Sequence, residues 1–200
     1  MKFMKRFLLP FIAILFLAAC GDEDTTPVVD QDTDNSAEEK VESAYPKTFV
    51  DGRGKEVTFN EKPTKIVSTT LAVDEFLVDL VAPENILAVT QMSTDAGISN
   101  VAGKTDAIET KFETVTAEQV LALNPDLVII PSYVSGEVLD QIESAGITTY
   151  QVVDDSSFEG ILKTVETLGQ IVGEEENAAA LVADIKKRID TLEANAEKVE

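Results

Sequence analysis

Histidine and tryptophan are missing from this 200-residue chain, and cysteine occurs once, at position 20. Without histidine there is no Ser-His-Asp or Cys-His activation of a nucleophile. The commonest side-chain ligand for a transition metal is gone as well. A single cysteine forbids an internal disulfide. Basic residues are scarce: 16 Lys and Arg stand against 37 Asp and Glu, for a formal net charge of −21. Phosphate backbones are gripped by Lys and Arg, so this balance argues against nucleic-acid binding. Long apolar runs are also lacking. Residues 7–19 are broken by Pro10 and fall short of the ~20 residues that a spanning helix needs.

Two enzyme signatures fail on spacing. No G-x-S-x-G elbow occurs. The stretch GISNVAGKT, residues 97–105, ends like a phosphate-binding loop, but five residues rather than four separate Gly97 from Gly103. The residues after Thr105 are too polar to open a buried helix. The stretch reads as a polar loop, and an exported α/β hydrolase or transferase has no motif behind it.

The N-terminus is an export signal over residues 1–19: Lys2, Lys5 and Arg6, then the short apolar run. It ends Leu17-Ala18-Ala19-Cys20-Gly21, which resembles a bacterial lipobox. The resemblance implies cleavage before Cys20 and a diacylglycerol on its sulfur. The chain is then expected outside the cytoplasm, held to the cell membrane by lipid. Residues 20–46 are acidic and without apolar periodicity, as a disordered tether would be.

From residue 47 the pattern is that of an α/β lobe, to residue 173. Thr48-Phe49-Val50 and Glu56-Val57-Thr58-Phe59 flank Asp51-Gly52-Arg53-Gly54 as a hairpin. Four short apolar runs follow, at residues 65–67, 86–89, 127–130 and 149–153. Continuous runs suit parallel strands buried on both faces. Helical patterns separate them, over residues 72–81, 116–123 and 135–145. Thr116-x-x-Gln119 and Ser156-x-x-Glu159 are capping boxes. A helix over 158–172 precedes Gly173, and residues 174–200 form one long helix carrying Leu181, Ile185, Ile189 and Leu192 on one face.

The order of these elements resembles a family. Pro63-Thr64-Lys65-Ile66-Val67, Glu84-Asn85-Ile86-Leu87-Ala88-Val89 and the run from Glu118-Gln119-Val120 through Leu123-Asn124-Pro125-Asp126-Leu127-Val128-Ile129 carry the likeness. They are similar to substrate-binding lipoproteins of ABC importers for iron complexes and cobalamin. The likeness covers roughly residues 47–197. It implies a monomeric receptor that does no chemistry, has no intrinsic cofactor, binds a ferric complex or corrinoid, and hands it to a permease with its ATPase. Such receptors have two lobes joined by a long helix, with the ligand between them. Here the first lobe and helix are matched and no second lobe follows, so the sequence is expected to be a fragment or a truncated gene.

Ligands of open α/β sheets lie beyond the carboxyl ends of the strands. That rule selects Thr69, Thr70 and Leu71; residues 91–104 with Met92, Ser99 and Asn100; Ser132, Tyr133 and Ser135; and Asp154 and Asp155. Tyr133 reads either as a stacking partner for a planar ligand or as a surface-packed ring. Met92 is either a soft haem ligand or a packing residue. Glu118 stands seven residues before Pro125, where the resemblance implies docking on permease arginines; it equally suits a first helical turn. Asp74 and Glu75 are sequence neighbours, so they do not share a helix face as a catalytic pair would. They read as helix-start carboxylates, with ligand contact by Asp74 left open. Arg53 and Arg188 lie outside the expected cleft and Lys104 and Lys111 are its nearest cations, which favours either a neutral or cationic ligand or basic residues supplied by the second lobe.

Overall fold

A computed structural model describes residues 45–196. The expected export signal over residues 1–19, the expected lipidation at Cys20 and residues 21–44 lie outside the described residues. Among the described residues, no helix is long and apolar enough to cross a membrane.

The hairpin is formed by β1 (Lys47–Val50) and β2 (Glu56–Phe59), antiparallel, with Phe49 opposite Val57. The remaining strands build one parallel sheet: β3 (Ile66–Ser68), β4 (Ile86–Thr90), β5 (Thr110–Phe112), β6 (Leu127–Ile130) and β7 (Thr148–Gln151), in the order β5-β4-β3-β6-β7. Between them run α1 (Leu71–Leu80), α2 (Ala117–Ala122) and α3 (Gly136–Ser144); α4 (Phe158–Val172) and α5 (Glu175–Ala196) follow β7. The expected parallel α/β lobe with its hairpin and long helix is what the chain forms.

Alternate strand residues serve two cores, as a period of two requires. Ile66, Leu127 and Ile129 pack with α1, α4, α5 and the hairpin. Val67, Val128 and Ile130 pack with α2 and α3. With helices on both faces, the inner strands β3, β4 and β6 are largely apolar, while the edge strands β5 and β7 carry polar residues.

The hairpin covers the β7 edge. Gly52 N–H donates to Gln151 O at 2.8 Å, and a Cβ on Gly52 would lie 2.5 Å from Val152 O. Buried Asp51 accepts from the N–H groups of Arg53 and Lys55 and from Arg53 Nε. Arg53 Nη1 reaches Glu143 at 2.8 Å, and Lys55 Nζ reaches the same carboxylate at 3.0 Å. Burial works against ionisation of Glu143, but hydrogen bonds from Thr149, Arg53 and Lys55 outweigh it and bring its pKa down to about 2.

The Leu-Asn-Pro-Asp run now has a physical reason. Asn124 takes a positive φ of 48°, which asparagine tolerates. Asp126 then turns back and accepts from the N–H groups of Thr64 and Lys65 at 2.9 and 3.0 Å, fixing the start of β3 beside β6.

Two sequence expectations are corrected. The stretch after Thr105 holds a fifth strand, β5, paired in parallel with β4. Only Phe112 of its three residues is buried, so it carried no apolar run. The α4 cap is Ser157, not Ser156: its hydroxyl accepts from Gly160 N–H at 3.0 Å. Asp155 accepts from Ser157 N–H, which moves the start one residue along. Thr116 does cap α2, accepting from Gln119 N–H.

Candidate functional site

In sequence β3 comes first, and the chain then goes one way to β4 and β5 and the other way to β6 and β7. Beyond the carboxyl ends of β3 and β6, adjacent loops diverge and leave a crevice, the usual ligand position in such sheets. Thr69 bridges it at the base: its N–H and Oγ1 both donate to Ile129 O, at 3.2 and 3.0 Å. Thr70 is the N-cap of α1, yet its side chain does not cap. Its Oγ1 lies 3.5 Å from Tyr133 Oη instead. Tyr133 is 75 % exposed, and Ser132 Oγ donates to Asp154 Oδ2 at 3.3 Å. Thr70, Tyr133, Ser132 and Asp154 therefore form a row across the ends of β3, β6 and β7. Next to it, Val73, Phe76, Val153 and Ile161 line a groove of about 450 Å³ between the starts of α1 and α4.

Other expected site residues fall elsewhere. Met92 is 46 % exposed in a short 3-10 turn after β4. Ser99 is buried, and its Oγ accepts from Val101 N–H. Asn100 donates to the Glu75 carboxylate through its backbone N–H at 2.7 Å and through its side-chain amide. The structure thus ties Asn100 to Glu75 of α1 and buries Ser99 beside Val101, and neither is bonded to the Thr70–Tyr133 row. GISNVAGKT is stitched down along its length: Lys104 pairs with Asp79 at 2.6 Å and Thr105 is buried. Sequence gave no sign of these bonds, because they join residues about 25 positions apart with no periodic pattern.

Asp74 is also placed differently. It is 0 % exposed, which removes it from ligand contact. Its Oδ2 accepts from Thr90 N–H at 3.0 Å and from Thr90 Oγ1 at 2.5 Å, tying α1 to the end of β4. Its Oδ1 has no hydrogen-bond partner among the described residues. Burial raises its pKa, against the hydrogen bonds it accepts.

Glu118 is exposed in the first turn of α2. That helix follows β5, so Glu118 stands on the same carboxyl-end side as the crevice. At the other flank, Asn177 Nδ2 donates to Leu80 O at the end of α1, while Ile185 and Arg188 share a groove with Glu75 and Phe76 near its start. Helix α5 therefore runs antiparallel to α1, towards the crevice side. Its last turns lose their contacts; Leu192 is 64 % exposed.

Comparison with known proteins gives the same outline. The chain is 29% identical over 191 residues to an uncharacterized ABC transporter substrate-binding lipoprotein, YvrC, of Bacillus subtilis, covering 94% of this chain and 57% of that protein. A cobalamin-binding protein of Halobacterium salinarum is 25% identical, with 73% of this chain and 39% of that one covered. The crystal structure of the heme binding protein HmuT superposes with a TM-score of 0.56 at 27% identity, over 74% of this chain and 47% of that one. The chain spans about half the length of the curated relatives it matches. A family profile, described as periplasmic binding protein, matches residues 66–199, which hold the whole parallel sheet and α5, and on that extent the chain belongs to the periplasmic binding protein family.

Proposed function

We propose that this chain is the crevice-bearing lobe of an extracytoplasmic, lipid-anchored receptor that delivers a metal complex to an ABC permease and its ATPase. It carries out no reaction. The observation that carries the reading is the row of Thr70, Tyr133 and Ser132 at the strand-order switch, with Tyr133 exposed beside an uncapped threonine hydroxyl. A large exposed ring beside exposed hydroxyls suits a bulky complex that is held by stacking and hydrogen bonds. The ligand is an iron complex, a ferric siderophore or haem, in keeping with the heme-binding relative of known structure. A corrinoid is the second reading, favoured by the cobalamin-binding relative. Cys20 carries the lipid, Glu118 docks on permease arginines, and the receptor acts as a monomer.

Calorimetry of the protein expressed from its own gene, titrated with ferric siderophores, haem and cobalamin, tests the ligand class. Binding of one of them is expected, weakened about three- to tenfold by Tyr133→Ala through loss of ring stacking. Silence with all of them would sink the reading.

A further inference from the structure

We infer that the crevice selects by charge, for a neutral or cationic complex over an anionic one, with Asp154 as the residue that sets the preference. This rests on the reading of the β3–β6 crevice as the ligand face.

Most cations of the lobe are engaged away from the crevice rim. An anionic ligand needs Lys or Arg within reach. The rim segments, residues 69–71, 91–95, 131–135 and 152–157, contain neither. Lys104, in the long connection after β4, is drawn down to Asp79 in the last turn of α1, away from the crevice. Lys111 turns inward and donates to Thr105 O at 2.9 Å and to Ile108 O. Arg53 and Lys55 are held at the hairpin by Asp51 and Glu143. Lys47 and Lys62 pair with Glu175 and Glu174 where α4 meets α5. Lys163 lies in the groove beneath β1, with Phe49, Val50 and Asp155. Arg188 shares its groove on α5 with Glu75, Asp79 and Asp184.

Carboxylates, by contrast, stand on the rim. Asp155 is committed to Ser157 at the start of α4. Asp154 is exposed, and its one side-chain hydrogen bond comes from Ser132, the neighbour of Tyr133. The starts of α1, α3 and α4 also open on this side, and helix N-termini favour anions. Each has an acidic residue in its first turn, Asp74, Glu137 and Glu159, which offsets that preference. The rim segments therefore present hydroxyls, one exposed ring and carboxylates with no Lys or Arg among them; Lys163 of α4 stands near Asp155, and Asp154 has no such partner among the described residues.

The test uses the protein expressed from its own gene and four probes: a neutral ferric trihydroxamate, a monocationic ferric trihydroxamate, a trianionic ferric tris-catecholate and haem with its two propionates. The neutral and cationic complexes are expected to bind at least about tenfold tighter than either anionic one. Asp154→Asn should weaken the cationic complex about fivefold relative to the neutral one, as for a unit charge pair several ångströms apart near water. That gap should close as ionic strength rises. Asp154→Lys should bring the tris-catecholate up against the cationic complex. Equal or tighter binding of an anionic probe, or an order untouched by both substitutions, would overturn the inference and leave the importer reading standing. Failure of all four probes and of cobalamin would overturn both.

Discussion

Burial holds the Asp74 carboxyl above its ordinary pKa, with Oδ1 unpartnered beneath the rim. A raised folded pKa means that the native chain gives up stability as pH climbs from the unfolded carboxylate value, near 4, towards the folded one. Asp74→Asn keeps an acceptor for Thr90 and removes the charge. Its melting temperature relative to wild type is expected to rise between pH 4 and pH 7, and to show little gain at pH 4. Glu143 has the opposite sign. Its folded pKa of about 2 stabilises the fold above the unfolded value near 4.3, and the benefit is lost as pH falls through about 2. Glu143→Gln should therefore be less stable at pH 6, with the difference vanishing near pH 2. Acid titrations followed by circular dichroism would read both. Neither environment was legible in the sequence: Asp74 read as a helix-start carboxylate with ligand contact left open, and nothing in the residues around Glu143 marks its partners in the hairpin.

Helices α4 and α5 approach most closely at Gly169. A Cβ on Gly169 would sit 2.3 Å from the Ala178 Cβ, and Gly173 turns the chain between them with φ 65°. Gly169→Ala is expected to force the pair apart and cost about 1–3 kcal/mol, read as a lower denaturant midpoint with an unchanged slope. Elements with strong local patterns were plain in the sequence: the hairpin around Asp51-Gly52, the run 127–130, and the helix from Phe158 to Val172. The weakest of them, β5, was not, because Thr110-Lys111-Phe112 gets its strand character from pairing with β4 and not from its own residues. The crevice was half legible. The rule of strand carboxyl ends reached Thr70, Ser132 and Tyr133, since each directly follows a strand run. It also gathered Ser99, which is buried against Val101, and Asn100, which bonds to the Glu75 carboxylate.

At the scale of the receptor, binding and delivery should separate. Glu118 is exposed and stands on a different helix from the Thr70–Tyr133 row. Glu118→Ala is expected to leave the affinity for the metal complex unchanged while lowering uptake in cells by tenfold or more, as for loss of an interfacial charge that pairs with arginine. Unchanged uptake would assign Glu118 to the helix dipole alone.

Strand β3 has one further consequence, in the order of assembly. It pairs with β4 across a short span, Ile66 with Ile86, and β6 pairs with β7 across another, Leu127 with Thr148. The bond between these halves, Ile66 with Leu127, closes the longest loop in the sheet. Loop entropy makes such a pairing the slowest to form. Pulse-labelled hydrogen exchange during refolding should therefore protect β3–β4 and β6–β7 amides before those between β3 and β6. That last seam is the line along which Thr69, Thr70 and Tyr133 come together. The β3–β6 crevice is born at the final closure of the fold, and a nascent chain stalled with either half complete has not yet brought its rim together.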